Sequence, residues 1–221
     1  MNTLPGIPEL KPSTLYCIGR NYADHAKELN NPVPETPVMF TKPSSCIIHD
    51  NGTILLPPGA GEVHHEAELV IAIGKTGKHI IREQAIEYIA GLAAGIDVTD
   101  RAAQTRLKEK GLPWLLAKGL DTFGPVGNFT PPGKPGQLED IDVIMEVNGQ
   151  IRQEGNTRDL LFPVTDLIVR LSALFTLQPG DLIFTGTPAG VGPLKDGDLA
   201  TARIRHRGAE LSSVTVNVAH S

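Results

Sequence analysis

The tightest constraint on this chain is a stretch in which two carboxylates lead into unbroken apolar sequence: His64-His65-Glu66-Ala67-Glu68-Leu69-Val70-Ile71-Ala72-Ile73. The β-branched run reads as a buried strand, and side chains alternate between the faces of a strand. Glu66 and Glu68 therefore project from the same side. Two like charges on one sheet face repel unless the face is solvated or a cation lies between them, and an isolated Glu-x-Glu fits either situation. Hard oxygen ligands at that spacing suit Mg²⁺, Mn²⁺ or Ca²⁺. A cation site requires a third carboxylate, and Asp97 is the best placed. It follows Ile89-Ala-Gly-Leu-Ala-Ala-Gly-Ile96, a small apolar run that reads as a second buried strand.

The 221 residues suffice for one domain with its own core, and 40% apolar with 20% charged residues is a globular composition. Twenty-three glycines and eighteen prolines favour many turns and short strands over a helical bundle. A net charge of −5 gives no electrostatic footprint for nucleic acid or an anionic membrane. No apolar stretch approaches a membrane span, and the amino terminus has no signal-peptide pattern, so a cytoplasmic location is expected. Cys17 and Cys46 make no disulfide framework. They are expected as free thiols in a reducing compartment, with Cys17 buried in its apolar run.

In chain order, Leu15–Gly19 reads as a strand and Arg20–Leu29 as a helix, with Asn21 or Asp24 as candidate N-caps. His25 and Glu28 stand three apart, side by side on a helix. A carboxylate beside an imidazole holds its tautomer and raises its basicity, as a general base for water requires; an exposed helical pair without a catalytic role has the same signature. The proline-rich loop of residues 30–37 follows, so this short helix has the makings of a moving lid. Lys118 is embedded in Trp114-Leu-Leu-Ala-Lys118-Gly, either as a snorkelling side chain or as a cation aimed at a substrate oxygen. Asn148-Gly149 signals a type I′ hairpin. Pro163–Phe175 places Val164, Leu167, Ile168 and Leu171 on one helical face. Residues 179–193 read as a strand entering a glycine-rich loop that is neither a P-loop nor a dinucleotide fingerprint. The loop is either a structural turn or a cradle offering N–H groups and the Thr187 hydroxyl to a carboxylate. Residues 198–218 read as two strands around Arg207-Gly208.

Taken in order, five motifs resemble the fumarylacetoacetate hydrolase family. They are Gly19-Arg-Asn-Tyr-Ala-Asp-His25, His65-Glu-Ala-Glu-Leu69, Gly95-Ile-Asp-Val-Thr-Asp-Arg101, Lys118 with Asp121-Thr-Phe-Gly-Pro125, and Gly180-Asp-Leu-Ile-Phe-Thr-Gly-Thr-Pro188. The resemblance runs from about residue 15 to 218 and is greatest to the short single-domain branch that includes acylpyruvate hydrolases and oxaloacetate-handling enzymes. It implies an α+β, mainly β fold: a mixed β-roll or sandwich with short helices, in one catalytic domain over 1–221. Residues 1–14 would be an N-terminal extension and about 20–36 a mobile lid. It further implies Mg²⁺ or Mn²⁺, with Ca²⁺ as a substitute, on Glu66, Glu68 and Asp97. His25, Glu28 and Lys118 would be catalytic, and Arg20, Gln104 and Thr187 would contact substrate. Asp100 departs from the family pattern, which often has a small residue before Arg101.

The expected function is metal-dependent hydrolysis of a carbon–carbon bond in acylpyruvate-type 2,4-dioxo acids, through a metal-stabilised enolate. The alternatives are oxaloacetate decarboxylation or keto–enol tautomerisation, or isomerisation and decarboxylation of dienoic diacids from aromatic breakdown. A non-catalytic metal-binding interaction protein is the reading from another class. The expected partner is a small 2-oxo acid, with a homodimer expected and no nucleic acid or membrane.

Overall fold

The computed structural model describes residues 3–28, 32–133 and 136–221. Residues 29–31, within the expected lid, lie outside the described residues, as do 1–2 at the start of the expected extension. The chain begins with β1 (Leu15–Gly19), α1 (Ala23–Glu28), β2 (Val38–Lys42), β3 (Ile47–Ile48) and β4 (Thr53–Leu56). The acidic stretch gives β5 (Val63–His65) and β6 (Ala67–Ile73). A 3-10 helix (Arg82–Tyr88) then leads to β7 (Ile89–Ile96), β8 (Thr99–Asp100), α2 (Arg101–Glu109), α3 (Leu115–Lys118) and β9 (Gly124–Pro125). The second half holds β10 (Asp142–Val147), β11 (Gln150–Asn156), α4 (Val164–Leu174), β12 (Leu182–Phe184), β13 (Gly192–Pro193), β14 (Leu199–His206) and β15 (Ala209–His220).

Two five-stranded mixed sheets dominate, in the orders β2-β1-β12-β6-β7 and β11-β10-β14-β15-β4. They pack through β7 on β14 and β15 and through β6 on β10. The mainly β fold with short helices follows from the strand-rich, glycine-punctuated sequence. Asn148 and Gly149 both have positive φ, +54° and +73°, as a type I′ turn requires. Among the described residues, no helix is long and apolar enough to cross a membrane.

Strand β6 is buried along its whole length. Its odd-numbered residues Leu69, Ile71 and Ile73 enter the larger core, and Val70 and Ala72 enter a smaller core with Cys17, Cys46 and Phe184. By the two-residue period, Glu66 and Glu68 face the smaller core's side. Cys17 and Cys46 are both buried and unpaired. Residues 3–14 pack into the body: Leu4 is fully buried in the smaller core, and the Phe129 N–H donates to Pro5 O at 2.8 Å.

Neither candidate N-cap serves α1. Asp24 lies inside the helix, and Asn21 is buried with its side chain spent elsewhere. Its amide donates to Phe162 O at 3.0 Å and Thr185 O at 2.8 Å, and its carbonyl accepts from the Phe162 N–H at 2.8 Å. Asn21 thus pins the base of α1 to two distant segments. Asn21→Ala leaves buried main-chain groups without partners, which is expected to cost about 2–3 kcal/mol in urea unfolding. A loss under about 0.5 kcal/mol would show that water replaces these bonds.

Candidate metal centre and lid

Glu66 occupies the one-residue break between β5 and β6. Its carbonyl accepts from the Asp97 N–H at 2.8 Å, one step beyond the Ala67–Ile96 pair of the antiparallel β6–β7 ladder. Asp97 therefore stands opposite Glu66, while Glu68 lies two residues along the same strand. Oxygens of the three carboxylates lie within 4.8 Å of one another, and all three residues are buried.

Cations from other elements surround this cluster. Lys118, at the end of α3, donates to Glu66 Oε2 at 2.8 Å and Asp97 Oδ2 at 2.6 Å. Lys42, at the end of β2, donates to Asp97 Oδ1 and Phe123 O, both at 2.5 Å. Arg101, opening α2, bonds Glu66 and donates to Gln104 Oε1 at 2.7 Å. Burial alone would raise the Glu66 pKa, but Lys118 and Arg101 outweigh it and hold the carboxyl well below the usual carboxylate range. Burial likewise opposes charge on Lys118, and Asp97 and Glu66 reverse that effect. Glu68 differs. Among the described residues its carboxylate takes one hydrogen bond, from the Gly186 N–H at 2.7 Å. Burial and the nearby Asp97 charge push its pKa well up. An under-compensated carboxylate beside two others is the environment that a hard divalent cation relieves, so the donor set fits Mg²⁺ or Mn²⁺.

Helix α1 reaches the same place. His25 is buried, its Nδ1 3.4 Å from Glu28 Oε2. Burial lowers the His25 pKa, opposed by the Glu66 charge and the Glu28 contact. Glu28 in turn accepts from the Gly190 N–H, at 3.1 Å and 3.2 Å to its two oxygens. Gly190 has φ +99°, and a Cβ there would meet Arg152 O at 2.2 Å. His25, Glu66, Arg101, Gln104, Lys118 and Arg20 line a cavity of about 30 Å³, with Phe40 and Trp114 as its apolar wall. That is room for one or two waters. Arg101 Nε is buried and has no hydrogen-bond partner among the described residues. Larger hollows of about 440 and 680 Å³ open on the surface, the first sharing Phe40 and Trp114 with this cavity, and none of the three clustered carboxylates borders either.

The structure thus gathers Arg20, His25, Glu66, Gln104 and Lys118 around the cavity, with Glu68 and Asp97 beside Glu66 and Glu28 beside His25, while Thr187 does not border it. The Thr187 hydroxyl donates to Ala67 O at 2.7 Å and accepts from Gln153 at 2.7 Å. Asp100 caps α2, accepting from the Ala103 N–H at 2.8 Å, and so starts the helix that carries Arg101. Lys42 escaped the sequence reading. Its only signal is a lysine closing an apolar strand before a proline, which resembles any strand end. Gln153 carries no signal at all, because β11 is polar along most of its length.

The family model for the C-terminal part of fumarylacetoacetate (FAA) hydrolase matches residues 14–218. An oxaloacetate decarboxylase, mitochondrial, of Dictyostelium discoideum is 45% identical over 186 residues, 84% of this chain and 85% of its own. The mitochondrial oxaloacetate tautomerase FAHD1 of Arabidopsis thaliana is 44% identical over 190 residues, 86% of this chain and 85% of its own. A crystal structure of fumarylpyruvate hydrolase from Pseudomonas aeruginosa, in complex with Mn²⁺ and pyruvate, superposes with a TM-score of 0.87 at 36% identity. The match covers 96% of this chain and 91% of that one. With its motifs in family order and the carboxylate cluster assembled, the chain belongs to the fumarylacetoacetate hydrolase family.

Proposed function

We propose that this chain is a divalent-metal-dependent hydrolase of acylpyruvate-type 2,4-dioxo acids. The observation that carries the reading is one assembly: His25, Glu66 and Lys118 line a single cavity, with Glu68 and Asp97 clustered beside Glu66 and Glu28 beside His25. A divalent cation on Glu66, Glu68 and Asp97 supplies Lewis-acid stabilisation of charge developing on the 2-oxo acid head. Arg20, Arg101 and Gln104 line the cavity and would orient the substrate carboxylate. His25 takes a proton from water attacking the distal carbonyl, and Glu28 stabilises the resulting imidazolium. The carbon–carbon bond then breaks, giving a carboxylic acid and pyruvate, while Lys118 offsets negative charge on the departing three-carbon unit. A cavity with room for one or two waters admits no such substrate, so α1 moves as a lid and the Glu28–Gly190 contact releases on opening.

The Pseudomonas relative with Mn²⁺ and pyruvate supports hydrolysis. The Dictyostelium and Arabidopsis relatives favour a second reading, oxaloacetate decarboxylation or tautomerisation, which uses the same core without an attacking water. Turnover of acetylpyruvate, oxaloacetate and enol-oxaloacetate by one Mg²⁺-loaded preparation separates the two readings.

Glu68→Ala and Asp97→Ala are each expected to abolish Mn²⁺ binding and turnover, because two carboxylates are too few for an ion that keeps several waters. Tight calorimetric binding by both variants would reject the metal assignment. His25→Ala is expected to lower acylpyruvate hydrolysis by about 10²–10⁴-fold with Mn²⁺ affinity nearly unchanged, and to reduce oxaloacetate decarboxylation far less. Equal collapse of both activities would favour the tautomerase reading. The base works as neutral imidazole, and burial lowers its pKa from the ordinary 6.5. Hydrolysis should therefore rise with pH along an acid limb centred below that value. A limb centred above it would contradict a desolvated His25 as the base.

A further inference from the structure

Ala67 separates the two glutamates, and side chains hold both of its main-chain polar groups. Its N–H donates to Gln153 Oε1 at 3.0 Å, and its carbonyl accepts from the Thr187 hydroxyl at 2.7 Å. Gln153 Nε2 donates to Thr187 Oγ1 at 2.7 Å, closing a ring of three hydrogen bonds. The Ala67 N–H requires an acceptor, which fixes the orientation of the Gln153 amide. His65 Nδ1, 2.9 Å from the same oxygen, is therefore a second donor to it. The remaining amide proton goes to Pro188 O at 2.8 Å. All four hydrogen-bonding positions of this amide are filled, at 1% exposure.

A bulge delivers the side chain. The β10–β11 register shifts between Met145 and Glu146, so that these consecutive residues oppose Gln153 and Ile151. Gln153 is the one buried residue of β11. Thr187 belongs to the glycine loop whose Gly186 N–H holds Glu68 and whose Gly190 N–H holds Glu28.

We propose that Gln153 is a positioning residue for the metal ligands. Together with Thr187 it fixes the peptide between Glu66 and Glu68 and joins it to the loop that latches the lid. This role rests on the metal reading of the three carboxylates. Groups that orient ligands in this way are typically worth about 10–100-fold in metal affinity.

The test is calorimetric Mn²⁺ titration of the full chain and of Gln153→Met, Thr187→Val, their double variant and Thr187→Ser. Acetylpyruvate kinetics and thermal melts accompany each titration. Both single variants are expected to bind Mn²⁺ about 10–100-fold more weakly, with kcat falling more than KM changes. The double variant should be no more than about threefold worse than the weaker single, because one ring is already broken. Thr187→Ser keeps the hydroxyl and should stay within about threefold of the unaltered affinity. Unchanged Mn²⁺ affinity in either folded single variant overturns the proposal, as do fully additive losses. If Gln153→Met does not fold, Thr187→Val against Thr187→Ser decides the matter. No Mn²⁺ binding by the unaltered protein would remove the metal reading, and this role with it.

Discussion

Mutual repulsion among three buried carboxylates is the constraint to which the surrounding architecture answers. Carboxylates in an apolar interior tolerate one another only where positive charge or N–H groups lie close by. Here the compensation arrives from separate parts of the chain: Lys42 ends β2, Lys118 ends α3, and Arg101 opens α2. Each cation is fixed by its element's terminus, so the ends of strands and helices all point at one spot. The compensation is uneven. Among the described residues, Glu66 and Asp97 each meet two cations, whereas Glu68 meets one backbone N–H. That asymmetry shapes the site for a hard cation instead of leaving a closed internal salt-bridge network.

The central sheet makes this arrangement affordable by separating two environments across one strand. One face of β6 feeds the larger core, while the other carries the acids and then Val70 and Ala72 of the smaller core. The acids thus continue a face whose far end is dry. Chemistry at the strand head and packing along its length do not compete for the same positions.

Much of this was legible because it is local. The two-residue period of a strand puts Glu66 and Glu68 together, and a second apolar run ending in Asp97 supplies the partner. The i, i+3 spacing of His25 and Glu28 and the Asn148-Gly149 turn are equally short-range signals. What the sequence hid is long-range or looks ordinary. Asn21 resembles a helix cap but bonds Phe162 and Thr185, more than 140 residues away. Lys42 resembles a strand end. Gln153 sits in a polar strand where a single inward side chain accompanies a bulge at Arg152 in the same strand, and hydrophobic periodicity does not register that.

Gly190 holds Glu28 through its main chain, in a conformation and against a carbonyl that together leave no space for a side chain. The strength of this contact with α1 is therefore beyond adjustment at that position. How firmly α1 rests on this loop is set from the Glu28 side, by the length and charge of the residue that reaches across. A shorter acid there would loosen that contact and withdraw the partner of the His25 imidazole in the same step, so the two contacts can only be altered jointly.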